Sequence, residues 1–187
     1  MLSDKKVEEI MLRHLTPKRY FHSVKVAEKA VYLAEKYGGD PERAKQAALL
    51  HDICKKYSEK ELLQLIVEYD IILGNIEKNT PDLWHAIAGA EMAARYGLND
   101  QDTINAIRYH TSGRAGMSLL EKIVFIADFV SEDRDYPDVE VIRELSEQSL
   151  EVAMKYGVEH IISELEKKKR DICEDTRLLF ETLKEMQ

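Results

Sequence analysis

Apolar residues recur at the three- and four-residue spacing of an α-helix along almost the whole chain. No segment shows the sustained alternation of apolar and polar residues that is typical of β-strands. Four segments begin with a capping Ser, Thr or Asp followed by Pro or acidic residues: "TPKRY", "DPERA", "YSEKE" and "TPDLW". Glycines in "KYGGD" and "RYGLND" indicate helix ends. The pattern predicts an all-α bundle of about nine to ten helices.

The remaining helices are predicted from apolar periodicity alone, near residues 2–14, 100–110, 118–132, 138–147, 149–169 and 174–186. Two longer loops, "DIILGNIEKNTP" and "HTSGRAGMS", interrupt the helical pattern. A length of 187 residues suits one domain with one hydrophobic core. We therefore expect a single domain over 1–187, in which C-terminal helices over 149–187 pack on a core over about 15–155.

The chain carries 35 acidic against 27 basic side chains, a net charge of −8. This balance argues against the broad basic surface that nucleic-acid binding requires, although a small phosphorylated ligand needs only a local basic patch. The two cysteines are too few for a disulfide framework, and no segment is long and apolar enough to cross a bilayer. We expect a cytoplasmic protein without nucleic-acid or membrane partners. Homodimerisation is left open.

Six polar side chains stand in apolar segments, where such groups are uncommon. They are four histidines and two aspartates from five predicted helices: His22, His51, Asp52, His85, His110 and Asp128. A lone histidine in such a segment is more often a hydrogen-bonded core residue, and a lone aspartate is as often part of a buried salt bridge. Six together are better explained by a shared cation, because a buried carboxylate needs a partner. His14 and His160 lack this context and are predicted to be structural.

Imidazole nitrogen and carboxylate oxygen together favour a first-row transition metal over magnesium or calcium. Asp52 has two oxygens and could bridge two metals. Lys55 follows His51 by four residues and Asp52 by three, so on a continuous helix it lies on the same face. Its ammonium group would then reach a phosphate held beside the metals. The segment "ALLHDICKKY" therefore predicts a metal site with an anion site next to it.

The order of these residues resembles the signature of the HD superfamily of metal-dependent phosphohydrolases. The HD signature is carried by His22, His51, Asp52 and Asp128, and the extra ligands of its two-metal branch by His85 and His110. More narrowly, the chain resembles the bacterial YqeK family in "KRYFHSVKVAEKAVYLAEKYGGDPERAKQAALLHDICK", "HAIAGAEMAARYGLND", "AIRYHTSGRAGMSLLEKIVFIADFVSEDRDYPDV" and "LEVAM". The chain departs from the family pattern at Phe129 and in "VSED". Members of this family are symmetrical dinucleoside-tetraphosphatases, which cut diadenosine tetraphosphate into two ADP.

The resemblance implies a hydrolase with two transition-metal ions, iron first, with manganese, cobalt, nickel or zinc as alternatives. One ion is expected on His22, His51, Asp52 and Asp128, and the other on His85, His110 and the second oxygen of Asp52. A hydroxide bridging the two ions would then attack phosphorus, with Asp52 and Lys55 as the catalytic side chains.

The resemblance also implies a small-molecule nucleotide as the partner, a dinucleoside polyphosphate with ADP or GDP as product. Candidates for binding it are Arg19, Lys55, Arg108, Thr111, Ser112, Gly113, Arg114 and Arg134. For each arginine a solvated surface charge is an equally good interpretation, except that Arg134 is favoured as a ligand contact.

Three other functions are compatible with the same residues. The chain could be a more general hydrolase of nucleoside di- or triphosphates, or a nucleotide-binding sensor whose metals only order the fold. An iron oxygenase would use a similar ligand set. The basic residues beside the ligands argue against the oxygenase, and the complete ligand set together with Lys55 argues against the sensor.

Overall fold

The computed structural model describes residues 1–186, which form ten α-helices and two short 3₁₀ turns and contain no strand. The helices are α1 Asp4–His14, α2 Pro17–Tyr37, α3 Pro41–Leu50, α4 Glu59–Glu68, α5 Trp84–Arg95, α6 Gln101–Arg108, α7 Leu119–Val130, α8 Val139–Gln148, α9 Leu150–Lys167 and α10 Glu174–Glu185. The 3₁₀ turns are Glu77–Asn79 and Pro81–Leu83. The predicted all-α class is confirmed.

The capping residues begin most helices where the sequence predicts them. The side chains of Thr16 and Asp40 accept backbone N–H groups at the start of α2 and α3, and Ser58 forms a capping box that begins α4. The predicted start at "TPDLW" is wrong by one turn. There the Thr80 hydroxyl donates to the Ile76 carbonyl instead of capping, so residues 81–83 form a 3₁₀ turn and α5 begins after it.

Helix α7 lies at the centre of the fold, in contact with α2, α3, α6, α8 and α9. Its residues Ile123, Phe125 and Ile126 are fully buried, which explains an apolar run on every side of the helix. Helix α9 packs on α7 and α8, and α10 packs on α9. None of the helices in residues 1–186 combines the length and apolar composition needed to cross a membrane.

Two helices end earlier than predicted, and both ends concern candidate ligands. Helix α3 ends at Leu50, so His51, Asp52 and Lys55 lie in a series of turns, where the Lys55 N–H donates to the Asp52 carbonyl at 2.8 Å. The predicted common helical face for these three residues is therefore wrong. Helix α6 ends at Arg108, and His110 lies in the turn that follows.

Candidate metal centre

The six candidate ligands converge on one buried site from five parts of the chain. Three come from the turns after α3 and α6, and one each from α2, α5 and α7. They are His22, His51, Asp52, His85, His110 and Asp128. Five of them are buried, and the Asp128 side chain is 17% exposed.

The donor atoms form two groups. In the first, one atom each of His22, His51 and Asp128 lie within 4.8 Å of one another. His22 Nε2 is 2.9 Å from Asp128 Oδ1, and His51 Nε2 is 3.7 Å from the same oxygen. These distances suit donors that face one cation.

The second group is built on the other side of Asp52. Its Oδ1 lies 3.5 Å from His85 Nε2 and 3.6 Å from His110 Nε2, while its Oδ2 lies 3.6 Å from His51 Nε2. The two imidazole nitrogens of His85 and His110 are 3.3 Å apart. The two oxygens of Asp52 therefore face different groups of histidines, as a bridging carboxylate would.

Backbone carbonyls fix the tautomers of two histidines. His51 Nδ1 donates to the Ala48 carbonyl at 2.6 Å, and His110 Nδ1 donates to the Ile107 carbonyl at 2.7 Å. Because a carbonyl only accepts, Nδ1 carries the proton and Nε2 presents a lone pair to the site. Within the described residues, the buried Nε2 of His51 has no hydrogen-bond partner. A buried acceptor without a partner is costly, and a transition-metal ion fits this donor set.

His22 is oriented by a carboxylate that sequence reasoning missed. Its Nδ1 donates to Asp133 Oδ2 at 2.7 Å, so the ring presents Nε2 to Asp128. The sequence alone suggests no more than a solvated acid at the end of a helix for Asp133, and that interpretation is wrong. Its neighbour Glu132 does pair at the surface with Lys25. A carboxylate that holds a ligand histidine in this way is a usual partner in metal sites.

A second missed residue holds the Asp133 segment in place. Arg143, on α8, donates to the carbonyls of Val130, Ser131 and Arg134 at 3.1, 2.7 and 3.0 Å. These three bonds fix the turns that follow α7. The only sequence signal was a basic residue in a predicted helix, which does not indicate where its guanidinium group binds.

The electrostatics keep the carboxylates ionised and two imidazoles neutral. Burial raises the pKa of Asp52, but the His51 and His110 imidazoles outweigh it and hold the pKa well below its usual value. The pKa of Asp128 is likewise low, since hydrogen bonding to His22 and the charge of Arg134 outweigh burial. Burial lowers the pKa of His51. For His85, burial and the adjacent His110 and Lys55 lower the pKa. Ionised carboxylates and neutral imidazoles are the forms that bind metals.

Three cationic side chains surround the ligands. Arg19 Nη1 donates to Asp52 Oδ2 at 2.9 Å, and Lys55 Nζ lies 3.0 Å from His85 Nε2. Arg134 donates from Nε to the Asp128 carbonyl at 2.7 Å and from Nη2 to the Asp128 carboxylate. A cavity of about 280 Å³ lies above the ligands, lined by Arg19, Asp52, Lys55, His110, Thr111, Asp128, Phe129, Arg134 and Ile161.

Two predicted substrate contacts are engaged elsewhere. Arg108 pairs with Glu77 at 2.9 Å, and Arg114 binds both oxygens of the buried Glu121 at 2.7 and 2.8 Å. Neither arginine lines the cavity above the ligands. The geometry gives both a structural role, so the prediction that they bind substrate has no support from the fold.

Only part of the turn after His110 is placed to contact a substrate. Thr111 Oγ1 lies 3.0 Å from His110 Nε2 and lines the cavity. The Ser112 hydroxyl donates to the Gly113 carbonyl, and the Gly113 N–H donates to the Tyr109 carbonyl. Of the three predicted donors in this turn, Thr111 is therefore the one that faces the ligands.

The two histidines predicted to be structural lie in different surroundings. His14 is buried between the hydroxyl groups of Tyr57 and Tyr96, each at 2.7 Å from a ring nitrogen. His160, on α9, instead lines a recess beside Asp128.

Comparison with known proteins identifies the family. The family model described as "HD domain" matches residues 19–133. The chain belongs to the HD domain family. It is 38% identical over 172 residues to the symmetrical bis(5'-nucleosyl)-tetraphosphatase of Bacillus subtilis, covering 91% of this chain and 92% of the relative. It is 35% identical over 179 residues to the enzyme of the same name from Halalkalibacterium halodurans, covering 95% of each. The resemblance to the HD superfamily and its YqeK family is confirmed.

The fold of this HD-family protein is also found among solved structures. A crystal structure of a predicted HD superfamily hydrolase involved in NAD metabolism, from Clostridium acetobutylicum, matches it with a TM-score of 0.95 and 32% sequence identity. The match covers 100% of both chains. All ten helices described above therefore belong to an arrangement that this relative shares.

Proposed function

We propose that this protein hydrolyses dinucleoside tetraphosphates symmetrically, so that diadenosine tetraphosphate and one water yield two ADP. The observation that carries the proposal is the arrangement around Asp52, whose two oxygens face separate groups of histidines. Relatives that match nearly the whole chain are symmetrical bis(5'-nucleosyl)-tetraphosphatases, which supports this substrate over a shorter nucleotide.

The ligand geometry supports two metal positions. His22, His51, Asp128 and Asp52 Oδ2 would hold one ion, and His85, His110 and Asp52 Oδ1 the other. When bound, such a pair of ions supplies a nucleophile from water near neutral pH and stabilises the charge that develops on phosphorus. Iron is proposed first, with manganese, cobalt, nickel or zinc as alternatives, since nitrogen and oxygen donors suit all of them.

The cationic side chains would position the polyphosphate across both groups of ligands. Lys55 contacts the His85 side of the site, whereas Arg134 contacts the Asp128 side. Arg19 donates to Asp52, which lies between these two sides of the site. Cations on both sides suit a phosphate chain that extends in two directions from the attacked phosphorus, as symmetrical cleavage requires.

The decisive experiment is chromatography of the products from diadenosine tetraphosphate in ¹⁸O-labelled water. We expect ADP as the sole product, with one labelled and one unlabelled β-phosphate per substrate. The Asp52→Ala protein, purified in parallel, controls for contaminating phosphatases. Equal amounts of AMP and ATP would refute symmetrical cleavage, and faster hydrolysis of nucleoside triphosphates would favour the general nucleotide hydrolase. Cytoplasmic location and homodimerisation stay predictions from the sequence.

A further inference from the structure

A recess of about 190 Å³ opens beside the cavity above the metal ligands. It is lined by Asp128, Phe129, Arg134, Tyr136 and His160. Three of these residues, Asp128, Phe129 and Arg134, also line the larger cavity. The two spaces are therefore adjacent.

The wall of the recess is aromatic and held in place. The centroid of the Phe129 ring lies 5.2 Å from that of Phe125, and the ring packs beside Gly157. The Tyr136 hydroxyl donates to the Phe129 carbonyl at 2.9 Å. Burial raises the pKa of Tyr136 to about 12, so its ring stays neutral near pH 7. These contacts make a rigid, uncharged surface.

His160 completes the recess from helix α9. Its ring centroid lies 6.0 Å from that of Tyr136, with the two planes tilted by 36°. No residue of the described chain forms a hydrogen bond with its imidazole in the way that Tyr57 and Tyr96 do with His14. The polar edge of the His160 ring is therefore available to a ligand. The surroundings of His160 in the fold do not explain why a polar side chain lies there.

We propose that this recess binds the nucleobase of one half of the substrate, by stacking on Tyr136 and Phe129 with the His160 edge as a hydrogen-bonding group. The proposal rests on the proposed function, because it assumes a nucleotide whose phosphates lie at the metals. A flat ring system suits aromatic walls. The recess is smaller than pockets that enclose whole drug-sized ligands, so it suits part of a nucleotide.

Charge argues against a phosphate in the same place. The one cation that lines the recess, Arg134, lies on the side shared with the cavity at the metals, where it donates to Asp128. The other residues of the recess, Phe129, Tyr136 and His160, include no lysine or arginine that would hold a phosphate. Stacking accepts any base, because every base has a π-face. We therefore expect the recess to contribute affinity for a base, with only modest discrimination between adenine and guanine.

The test compares the binding of ADP and of inorganic pyrophosphate by calorimetry, with metal content measured for every variant. In His160→Ala and in Tyr136→Leu the dissociation constant for ADP should rise about tenfold, while that for pyrophosphate stays within about twofold. Tyr136→Phe retains the stacking ring and should keep most of the ADP affinity. His160→Phe retains a ring but loses the hydrogen-bonding edge, and should lose about as much ADP affinity as His160→Ala. Tyr32→Ala, which removes an exposed ring that binds Glu147, is the control outside the site.

Two results would overturn the proposal. Unchanged ADP affinity in both ring-removing variants would place the base elsewhere. Equal losses for ADP and pyrophosphate would show that the variants disturb phosphate binding and not base binding. Failure of the proposed function looks different: diadenosine tetraphosphate would then give AMP and ATP, or no product, whatever the ratio of ADP to pyrophosphate affinity.

Discussion

Asp133 offers the sharpest test of how the site is organised, because it touches a candidate ligand without being one. Its Oδ2 accepts the Nδ1–H of His22 at 2.7 Å, which leaves His22 Nε2 directed at Asp128 Oδ1, 2.9 Å away. Without the carboxylate, the His22 ring is free to rotate or to protonate Nε2 in place of Nδ1. Replacing Asp133 should therefore weaken the metal position nearest to His22 and leave the other position intact.

The magnitude follows from the type of bond that is lost. The His22 side chain is 6% exposed and that of Asp133 is 20% exposed, so solvent screens this bond only in part. Hydrogen bonds to charged groups contribute about 1.5–3 kcal/mol, and neutral ones about 0.5–1.5 kcal/mol. Asp133→Asn retains a neutral acceptor and should lower the affinity of one metal about tenfold. Asp133→Ala removes the bond entirely and should lower it up to about a hundredfold.

The assay is a metal titration of the purified protein, with occupancy counted per chain and hydrolysis measured in parallel. Glu132→Gln is the matched control, since it removes the adjacent acid, whose side chain is 78% exposed and pairs with Lys25 at the surface. We expect Glu132→Gln to bind metal as the parent protein does. Equal losses in the two variants, or loss of both metals in Asp133→Asn, would refute the assignment of Asp133 as the group that orients His22.

Three further changes test other parts of the structure. Asp52→Ala should lower occupancy at both metal positions; loss of a single metal would show that Asp52 is not the bridge. His110→Ala should empty one position and reduce hydrolysis by orders of magnitude, and full activity would show that one metal suffices. Burial lowers the pKa of His14 to about 4. The unfolded chain therefore takes up the proton first, and about 3 kcal/mol of stability should be lost as pH falls from 6.5 to 4. His14→Gln should flatten this slope in urea unfolding, and an unchanged slope would exclude His14 as its source.

The helices and the ligand set could be predicted from the sequence because both are local signals. Thr16, Asp40 and Ser58 cap helices through backbone groups two or three residues away. Each candidate ligand stands out against its own apolar neighbours. Neither kind of signal depends on knowing which distant segments meet in space.

The missed residues depend on long-range pairing. Asp133 meets His22 across 111 positions of the chain, from a segment with no helical period, so nothing in its own surroundings separates it from a solvated acid. The prediction that Arg108 and Arg114 bind substrate finds no support for the same reason. Whether a cation faces a phosphate site or another carboxylate depends on the fold, and here Arg108 meets Glu77 while Arg114 meets Glu121.

The early ends of α3 and α6 are part of the site itself. The last carbonyls of a helix lack partners within it. Two of them, on Ala48 and Ile107, accept the Nδ1–H of the histidine three residues later. If α3 continued for another turn, the Ala48 carbonyl would also accept the amide of Asp52, and His51 Nδ1 would share its acceptor with the helix. Because α3 ends at Leu50, the Ala48 carbonyl is left to the Nδ1–H of His51, and this bond orients the metal-facing imidazole.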